Sequence, residues 1–203
     1  MRIDLTRHDG WGLSWVAAEP AFMRRGSHAV AGDGGLWLFD PVDGDGLEEA
    51  LAGLGTVRGV IQTYGRHPRD CAILAQRHGV PLHVVPTGGV PGLPAEPVVL
   101  QHRPWWREVA FWLPEPRAML VGESVGTAPY FRVGGDRLGV HPLARLEPPA
   151  RLLGRDPRHL LPGHGAALSG DGLGEELDRV IRSGRRDLPR AWLGAARGFL
   201  PGR

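Results

Sequence analysis

Short apolar segments separated by glycine and charged residues occupy the first forty positions of the chain, at 12–17, 27–31 and 35–39. Runs of five or six residues with this spacing are typical of strands joined by tight turns. The pattern therefore predicts that the chain opens as a β-meander.

The pattern then changes to helices alternating with strands. Apolar residues recur at helical spacing over 47–54 and over 69–78, and Gly79 is suited to end the second helix. Continuous apolar runs at 57–63 and 81–85 predict buried strands on either side of it. This stretch is therefore expected to alternate strands and helices.

The second half repeats the theme after a connection, residues 86–97, that is rich in proline and glycine and predicts an irregular surface loop. The predicted strands are 98–101, 108–113, 118–122 and 159–161, and the predicted helices are Gly174–Arg185 and Pro189–Phe199. Two strand-rich halves, each closed by helices, favour two packed sheets with helices outside. We expect one domain, residues 1–203.

Composition excludes two classes of partner. All 24 basic residues are arginine, which is typical of a genome rich in G and C, and the net charge is only +2. Charges of both signs are interspersed without long runs, so we expect no nucleic-acid partner. No stretch approaches the roughly 18 apolar residues of a membrane helix, so no membrane partner is expected either.

The single cysteine, Cys71, excludes an intramolecular disulfide and is typical of a buried residue in a reducing compartment. The N-terminal residues show no basic region followed by an apolar stretch. These two observations predict a cytoplasmic protein. Trp192 and Phe199 on the last predicted helix could provide the apolar surface of a homodimer.

The segment Leu-Leu-Pro-Gly-His-Gly at 160–165 is the first candidate for chemistry. Glycines on both sides of His164 would let its imidazole and the nearby backbone approach a metal ion or a substrate closely. The alternative is a tight turn whose histidine only caps the end of a strand.

Together with other segments, this motif resembles the metallo-β-lactamase superfamily over nearly the whole chain. The matching segments are Leu36–Pro41, Gly59–Thr63, Glu108–Pro114, Ala118–Glu123 and Asp156–Gly165. The resemblance implies a four-layer αββα sandwich.

In active members, the strand that ends in threonine is followed by His-x-His-x-Asp-His, which binds metal ions. Here the corresponding residues 64–69 read Tyr-Gly-Arg-His-Pro-Arg, so no expected ligand is in register. Arg66 and Arg69 have no lone pair to offer a metal ion and carry a charge of the wrong sign. We therefore expect no centre with two metal ions.

A partial site remains conceivable, holding at most one divalent ion, for which zinc is the first candidate. His67 and Asp70 lie one position beyond the expected ligands, Glu123 is where the superfamily has a bridging aspartate, and His164 would complete the set. The alternative is no metal at all, with Asp70 capping a helix. His102 is expected to be exposed.

A different reading treats Gly122–Gly126 as a Gly-x-Ser-x-Gly nucleophile motif around Ser124, with Asp156 and His164 following in hydrolase order. That motif requires a helix directly after the serine. The glycines and the proline that follow make such a helix unfavourable.

Two functions are open at this stage. The first is a catalytically silent or atypical member with an altered metal site that binds a small anionic molecule; the residues expected to line that site are Tyr64, Arg66, Arg69, Trp105, Trp106 and His164. The second is a hydrolase of an ester, thioester or amide that uses one metal ion. One tryptophan of the pair 105–106 could instead fill the core.

Overall fold

The computed structural model describes residues 1–19 and 23–198, the side chains of 196–198 excepted. The strands are β1 Ile3–His8, β2 Gly12–Ala17, β3 Gly26–Gly32, β4 Gly35–Phe39, β5 Val57–Gln62, β6 Leu82–Val84, β7 Glu96–Arg103, β8 Trp106–Leu113, β9 Ala118–Val121, β10 Val125–Gly126, β11 Gly139–Val140, β12 His159–Pro162 and β13 Leu168–Ser169. The helices are α1 Leu47–Ala52, α2 Cys71–His78, α3 Leu173–Ser183 and α4 Leu188–Gly198, with short 3-10 turns at Ala144–Leu146 and Ala150–Leu152.

The first sheet has the strand order β1-β2-β3-β4-β5-β6. Strands β1 to β4 pair antiparallel as consecutive hairpins, whereas β4, β5 and β6 pair in parallel, because helices α1 and α2 carry the chain between them. One apolar cluster joins this sheet to both helices and includes Leu38 of β4, Leu51 of α1 and Leu74 of α2.

The second sheet has the order β13-β12-β9-β8-β7 and is covered by α3. Met119 and Leu160 of the sheet belong to the same apolar cluster as Leu177 of that helix. A third apolar cluster lies between the two sheets, where the rings of Phe39 and Phe111 meet edge to face at 5.4 Å. The three clusters separate four layers, so the expected αββα sandwich is confirmed.

Most predicted elements are confirmed within one to three residues at each end. Strand β1 was not predicted because three of its four interior side chains are polar and all four are exposed at the edge of the sheet. Strand β7 begins at Glu96, inside the predicted loop, because an edge strand tolerates Pro97. Helix α2 begins at Cys71 rather than at 69, and Phe199 lies outside the described residues.

The fold brings three chain segments to one edge of the sandwich. Strands β9 and β12 pair in parallel, with Val121 opposite Pro162, so the residues that follow each strand emerge side by side. The loop after β5 reaches the same edge from the facing sheet, where Tyr64 forms a bridge with Glu108 of β8. None of the helices described is both long and apolar enough to cross a membrane.

Candidate metal centre

Three buried side chains converge at this edge, one from each of the three segments. The Nε2 atom of His67 lies 2.8 Å from Oε2 of Glu123 and 3.1 Å from Nε2 of His164. The Nε2 atom of His164 lies 3.0 Å from the same Oε2. His67 and His164 are 97 positions apart in the chain, so the predicted meeting of the two motifs is confirmed.

The outer nitrogen of each imidazole already has an acceptor. Nδ1 of His164 faces the backbone carbonyl of Met23 at 3.1 Å, and Nδ1 of His67 faces Oδ2 of Asp40 at a longer 3.4 Å. A neutral imidazole that donates through Nδ1 has its lone pair on Nε2. When both rings carry a single proton, on Nδ1, two nitrogen lone pairs and a carboxylate oxygen surround the same small volume. Without a metal ion, protons on Nε2 take its place and donate to Glu123.

This donor set fits one divalent metal ion. Two imidazole nitrogens and one carboxylate oxygen are common zinc ligands, and three protein ligands leave one position free for water. Within the described residues, His67, Glu123 and His164 form the one group of three or more histidine, cysteine or acidic side chains placed to hold a metal ion. The hydrogen bonds to Nδ1 would also orient both rings, as in well-formed metal sites.

The electrostatics of the group favour a positive charge at this point. Burial opposes ionisation of Glu123, but hydrogen bonds from His164 and His67 outweigh it and hold the pKa of this carboxyl well below its usual value. Burial and Arg69 oppose a charged His67, yet its hydrogen bonds to Asp40 and Glu123 raise its pKa. Burial lowers the pKa of His164.

A fourth histidine, His141, contacts the other oxygen of the same carboxylate. Its Nε2 atom lies 3.2 Å from Oε1 of Glu123, and its Nδ1 accepts a hydrogen bond from the backbone N–H of Leu143 at 3.1 Å. Burial lowers the pKa of His141 to about 4, so the ring is neutral at pH 7. A neutral ring that accepts at Nδ1 carries its proton on Nε2, and it therefore donates to Glu123.

His141 is not predictable as a site residue from the sequence, because no motif surrounds it. It follows β11, a strand of two residues, and reaches the site only because β11 pairs with β10 directly after Glu123 and Ser124. The backbone N–H of His141 donates to the carbonyl of Ser124 at 3.0 Å. This pairing depends on tertiary contacts, which periodicity does not report.

A buried carboxylate behind the site fixes the position of Glu123. Oε1 of Glu108 accepts the backbone N–H groups of Glu123 and Ser124, each at 2.8 Å, and Oε2 accepts the indole N–H of Trp106 at 2.8 Å. The hydroxyl of Ser124 also donates to Oε2. Because four donors satisfy this carboxylate, Glu108 can be fully buried even though burial raises its pKa.

The geometry does not support the hypothesis that Ser124 is a catalytic nucleophile. Strand β10 begins at Val125, so no helix follows the serine, and its hydroxyl donates to Glu108 rather than to a histidine. The carboxylate of Asp156 pairs with Arg117 instead of orienting His164. Ser124 is therefore part of the support of Glu123.

Glycines beside His164 are required by close backbone packing. A Cβ atom on Gly163 would lie 2.1 Å from the carbonyl oxygen of Gly122, and one on Gly165 would lie 2.3 Å from the hydroxyl oxygen of Thr127. Gly165 also has a φ of +91°, which favours glycine. The turn is tight, as the alternative proposed, and it also directs His164 into the site.

Two of the expected site residues have structural partners instead. The Arg69 guanidinium donates to the carbonyl oxygens of Asp40 at 2.9 Å and Gly163 at 2.6 Å, and also to that of Gly26. The carboxylate of Asp70 accepts the backbone N–H of Asp43 at 2.8 Å and makes no cap bond to α2. Asp70 therefore lies outside the group formed by His67, Glu123 and His164, and Arg69 is tied to the backbone.

The remaining expected residues lie around the cluster or beside it. The rings of Tyr64 and Trp106 are buried, with centroids 5.2 Å apart, and Tyr64 also meets the ring of His67 at 5.0 Å. Arg66 and Trp105 are exposed. Burial raises the pKa of the Tyr64 hydroxyl to about 12, with Arg66 acting in the opposite direction. His102 is exposed, as expected.

Comparisons with solved structures agree with this architecture. The fold is similar to a metallo-β-lactamase from Pontibacter korlensis, with 16% sequence identity, a TM-score of 0.61 and coverage of 89% of this chain and 99% of that chain. It is also similar to one from Erythrobacter litoralis, with 12% identity, a TM-score of 0.58 and coverage of 91% and 92%.

A third similar structure is the metallo-β-lactamase FIM-1 from Pseudomonas aeruginosa in its mono-zinc form, with 11% identity, a TM-score of 0.54 and coverage of 90% and 96%. No protein-family model and no curated protein matches the sequence. At these identities the likeness establishes the fold alone: the chain has the metallo-β-lactamase fold.

Proposed function

We propose that this protein binds one divalent metal ion through His67, Glu123 and His164 and hydrolyses an ester, thioester or amide. The observation that carries the proposal is the convergence of two imidazole Nε2 atoms and one carboxylate oxygen within 2.8–3.1 Å of one another. Both imidazoles are also held at Nδ1, on the side away from the cluster. Zinc is the first candidate because of the nitrogen-rich ligand set and because a structure of the same fold contains a single zinc ion.

When bound, the ion would supply a polarised water at neutral pH and a Lewis acid for a carbonyl oxygen. The protein side chains would then position the reacting groups. The Tyr64 hydroxyl is protonated at neutral pH and is a donor for a substrate oxygen. Glu123 is held by His141 at one oxygen and presents the other to the metal position.

A second candidate function is the binding of a small anion without catalysis. It is favoured by Arg66, whose exposed guanidinium lies beside Tyr64 and forms no ion pair with the carboxylates of the described residues. Arg69 does not contribute in the way the sequence indicated, because its two terminal nitrogens, Nη1 and Nη2, both donate to backbone carbonyls. An anionic ligand would therefore be bound by one arginine.

Metal content separates the two functions. Protein purified without a histidine tag or chelator should contain close to one equivalent of zinc, iron or manganese by elemental analysis. The variant His67→Ala should lose it, whereas His102→Ala, which removes an exposed histidine on β7, should not. Two equivalents in the wild type would contradict a single-ion centre, and none would leave the anion-binding function.

Activity and anion binding are then measured on the same preparations. Hydrolysis of p-nitrophenyl acetate and of an acyl thioester should require the metal and be lost in His67→Ala. If activity persists without metal, the hydrolytic proposal fails. Calorimetry with phosphate and citrate, on the wild type and Arg66→Ala, tests the second function; equal binding by both proteins would end it.

A further inference from the structure

A cavity of about 320 Å³ lies beside the metal centre, between the tip of the β7–β8 hairpin and the 3-10 turn at Ala144–Leu146. Most of its wall is apolar; the lining side chains that matter here are Leu100, Trp105, Trp106, Ser124, Leu143 and Leu146. Its volume is at the lower end of small-molecule sites and suits a ring-sized group.

The mouth of this cavity exposes large apolar side chains. Trp105 is 61% exposed, Leu146 is 58% exposed and Leu143 is 45% exposed. Single exposed apolar residues are ordinary, but three around one concave surface are typical of a binding site. The cavity and the exposed groups thus indicate the same kind of ligand.

The charges at the rim cancel each other. The Arg103 guanidinium forms an ion pair with Glu147 at 2.6 Å and lies over the ring of Trp105, with its central carbon 5.6 Å from the ring centroid. A paired arginine offers little attraction to an anion. The rim is therefore suited to a ligand group without formal charge.

The polar side-chain atoms of Trp106 and Ser124, on the inner wall, already have hydrogen-bond partners. The indole N–H of Trp106 and the hydroxyl of Ser124 both donate to Glu108, so these side chains present carbon surface to the cavity. Ser124 directly follows the proposed ligand Glu123, and the Trp106 ring lies 5.2 Å from the ring of His141. The cavity thus shares a wall with the metal centre.

We propose that this cavity is a binding site for an uncharged, apolar small molecule or for the apolar arm of a larger one, such as an aromatic ring or a short acyl chain. The proposed binding site is formed by the cavity alone, so ligand binding there does not require the metal ion. It differs from the anionic ligand expected from the sequence, because the favourable contacts here are with tryptophan and leucine side chains.

Two fluorescent probes with the same ring system test the proposal. N-phenyl-1-naphthylamine is uncharged, and 8-anilino-1-naphthalenesulfonate adds a sulfonate to that ring system. We expect saturable one-to-one binding of the uncharged probe, in metal-loaded and in chelator-treated protein alike, and no tighter binding of the sulfonate. Tighter binding of the sulfonate would overturn the assignment to uncharged groups.

Matched variants locate the probe. Trp105→Ala and Leu146→Ser should each weaken binding of the probe by about tenfold or more. Both substitutions remove apolar surface that the bound probe would cover. Trp192→Ala and Leu193→Ser are the controls, because these residues are 52% and 61% exposed on α4, away from the cavity, and should leave binding unchanged. Unchanged binding in both cavity variants, or equal losses in the controls, would overturn the proposal.

Discussion

The loop after β5 and the turn after β12 each contribute one imidazole to the metal centre, but they position it by different means. In the turn, the backbone determines the position of the His164 imidazole, because Gly163 and Gly165 pack against neighbouring chain where no Cβ fits. In the loop, side chains determine the position of the His67 imidazole, since Arg69 donates to three carbonyls and Asp40 faces His67. The turn around His164 is therefore fixed by steric packing, whereas the loop around His67 is fixed by hydrogen bonds of its own side chains.

The largest expected effect comes from adding a methyl group to the turn. In Gly163→Ala, the new Cβ would meet the Gly122 carbonyl oxygen at 2.1 Å, and neither backbone can move without breaking the β9–β12 pairing. We expect a loss of about 3 kcal/mol or more in the free energy of unfolding. Urea denaturation measures it.

The control is Gly88→Ala, because a Cβ on Gly88 would have no neighbour within 4 Å and its φ is not positive. That variant should lie within about 0.5 kcal/mol of the wild type. If both alanine variants are equally stable, the turn is not held by steric packing.

The next effect compares the two arginines of the loop. Arg69→Met keeps much of the side-chain length but leaves the carbonyls of Gly26, Asp40 and Gly163 without this donor, so we expect a loss of about 2–3 kcal/mol. The exposed Arg66 should tolerate Arg66→Ala with a change of about 0.5 kcal/mol at most. Similar losses in the two variants, by thermal or urea denaturation, would contradict this division of roles.

A third effect depends on pH and on a histidine that supports the turn from the first sheet. Nε2 of His28 contacts the carbonyl oxygen of Pro162 at 2.9 Å, while its Nδ1 faces the hydroxyl of Ser14 at 2.7 Å. Burial lowers the pKa of His28 to about 3. Since the unfolded chain gains a proton near pH 6.5 and the folded chain does not, stability is fully present above that pH and declines as pH falls towards 3.

At pH 5 the decline attributable to His28 is about 2 kcal/mol relative to pH 7. The variant His28→Gln cannot be protonated, so its stability should fall less steeply over this range, whatever its stability at pH 7. His8 remains a second contributor in both proteins, because burial lowers its pKa to about 4. Parallel stability curves for the wild type and the variant between pH 7 and 5 would refute the assignment.

The smallest effect concerns His141, which belongs to neither motif. Removal of its hydrogen bond to Glu123 in His141→Ala should weaken metal binding by about tenfold or more, which is typical for a group that orients a ligand. His141→Gln, which can restore an N–H donor, should recover part of the affinity. Competition with a chromophoric chelator measures both. An unchanged affinity in His141→Ala would exclude an orienting role.

The sequence predicts the fold well because the spacing of apolar residues and the residue types at turns depend on neighbouring positions in the chain. The three predicted strands of the first meander, the end of helix α2 before Gly79 and the αββα layering are all confirmed. The prediction that His67 and the Leu-Pro-Gly-His-Gly turn meet is also confirmed. The cytoplasmic location, the homodimer and the identity of any ligand stay predictions.

The sequence could not predict contacts that depend on which donor is nearest in the folded chain. Asp70 had the residue type of a ligand, yet the backbone N–H of Asp43 lies within its reach. Arg69 had the type of an anion-binding group, yet three carbonyl oxygens surround it. His141 had no motif at all and reaches Glu123 through a two-residue strand.

The position of the three candidate ligands affects how the two sheets are held together. His67 extends from a loop of the first sheet, whereas Glu123 and His164 extend from the second, so one bound ion would act as a cross-link between the two halves of the sandwich. Folding must close a span of 97 residues before such an ion can engage all three. An ion present at a hundred times its dissociation constant would add about 2.7 kcal/mol to the stability of the closed form, and a chelator would remove that contribution without touching any other contact.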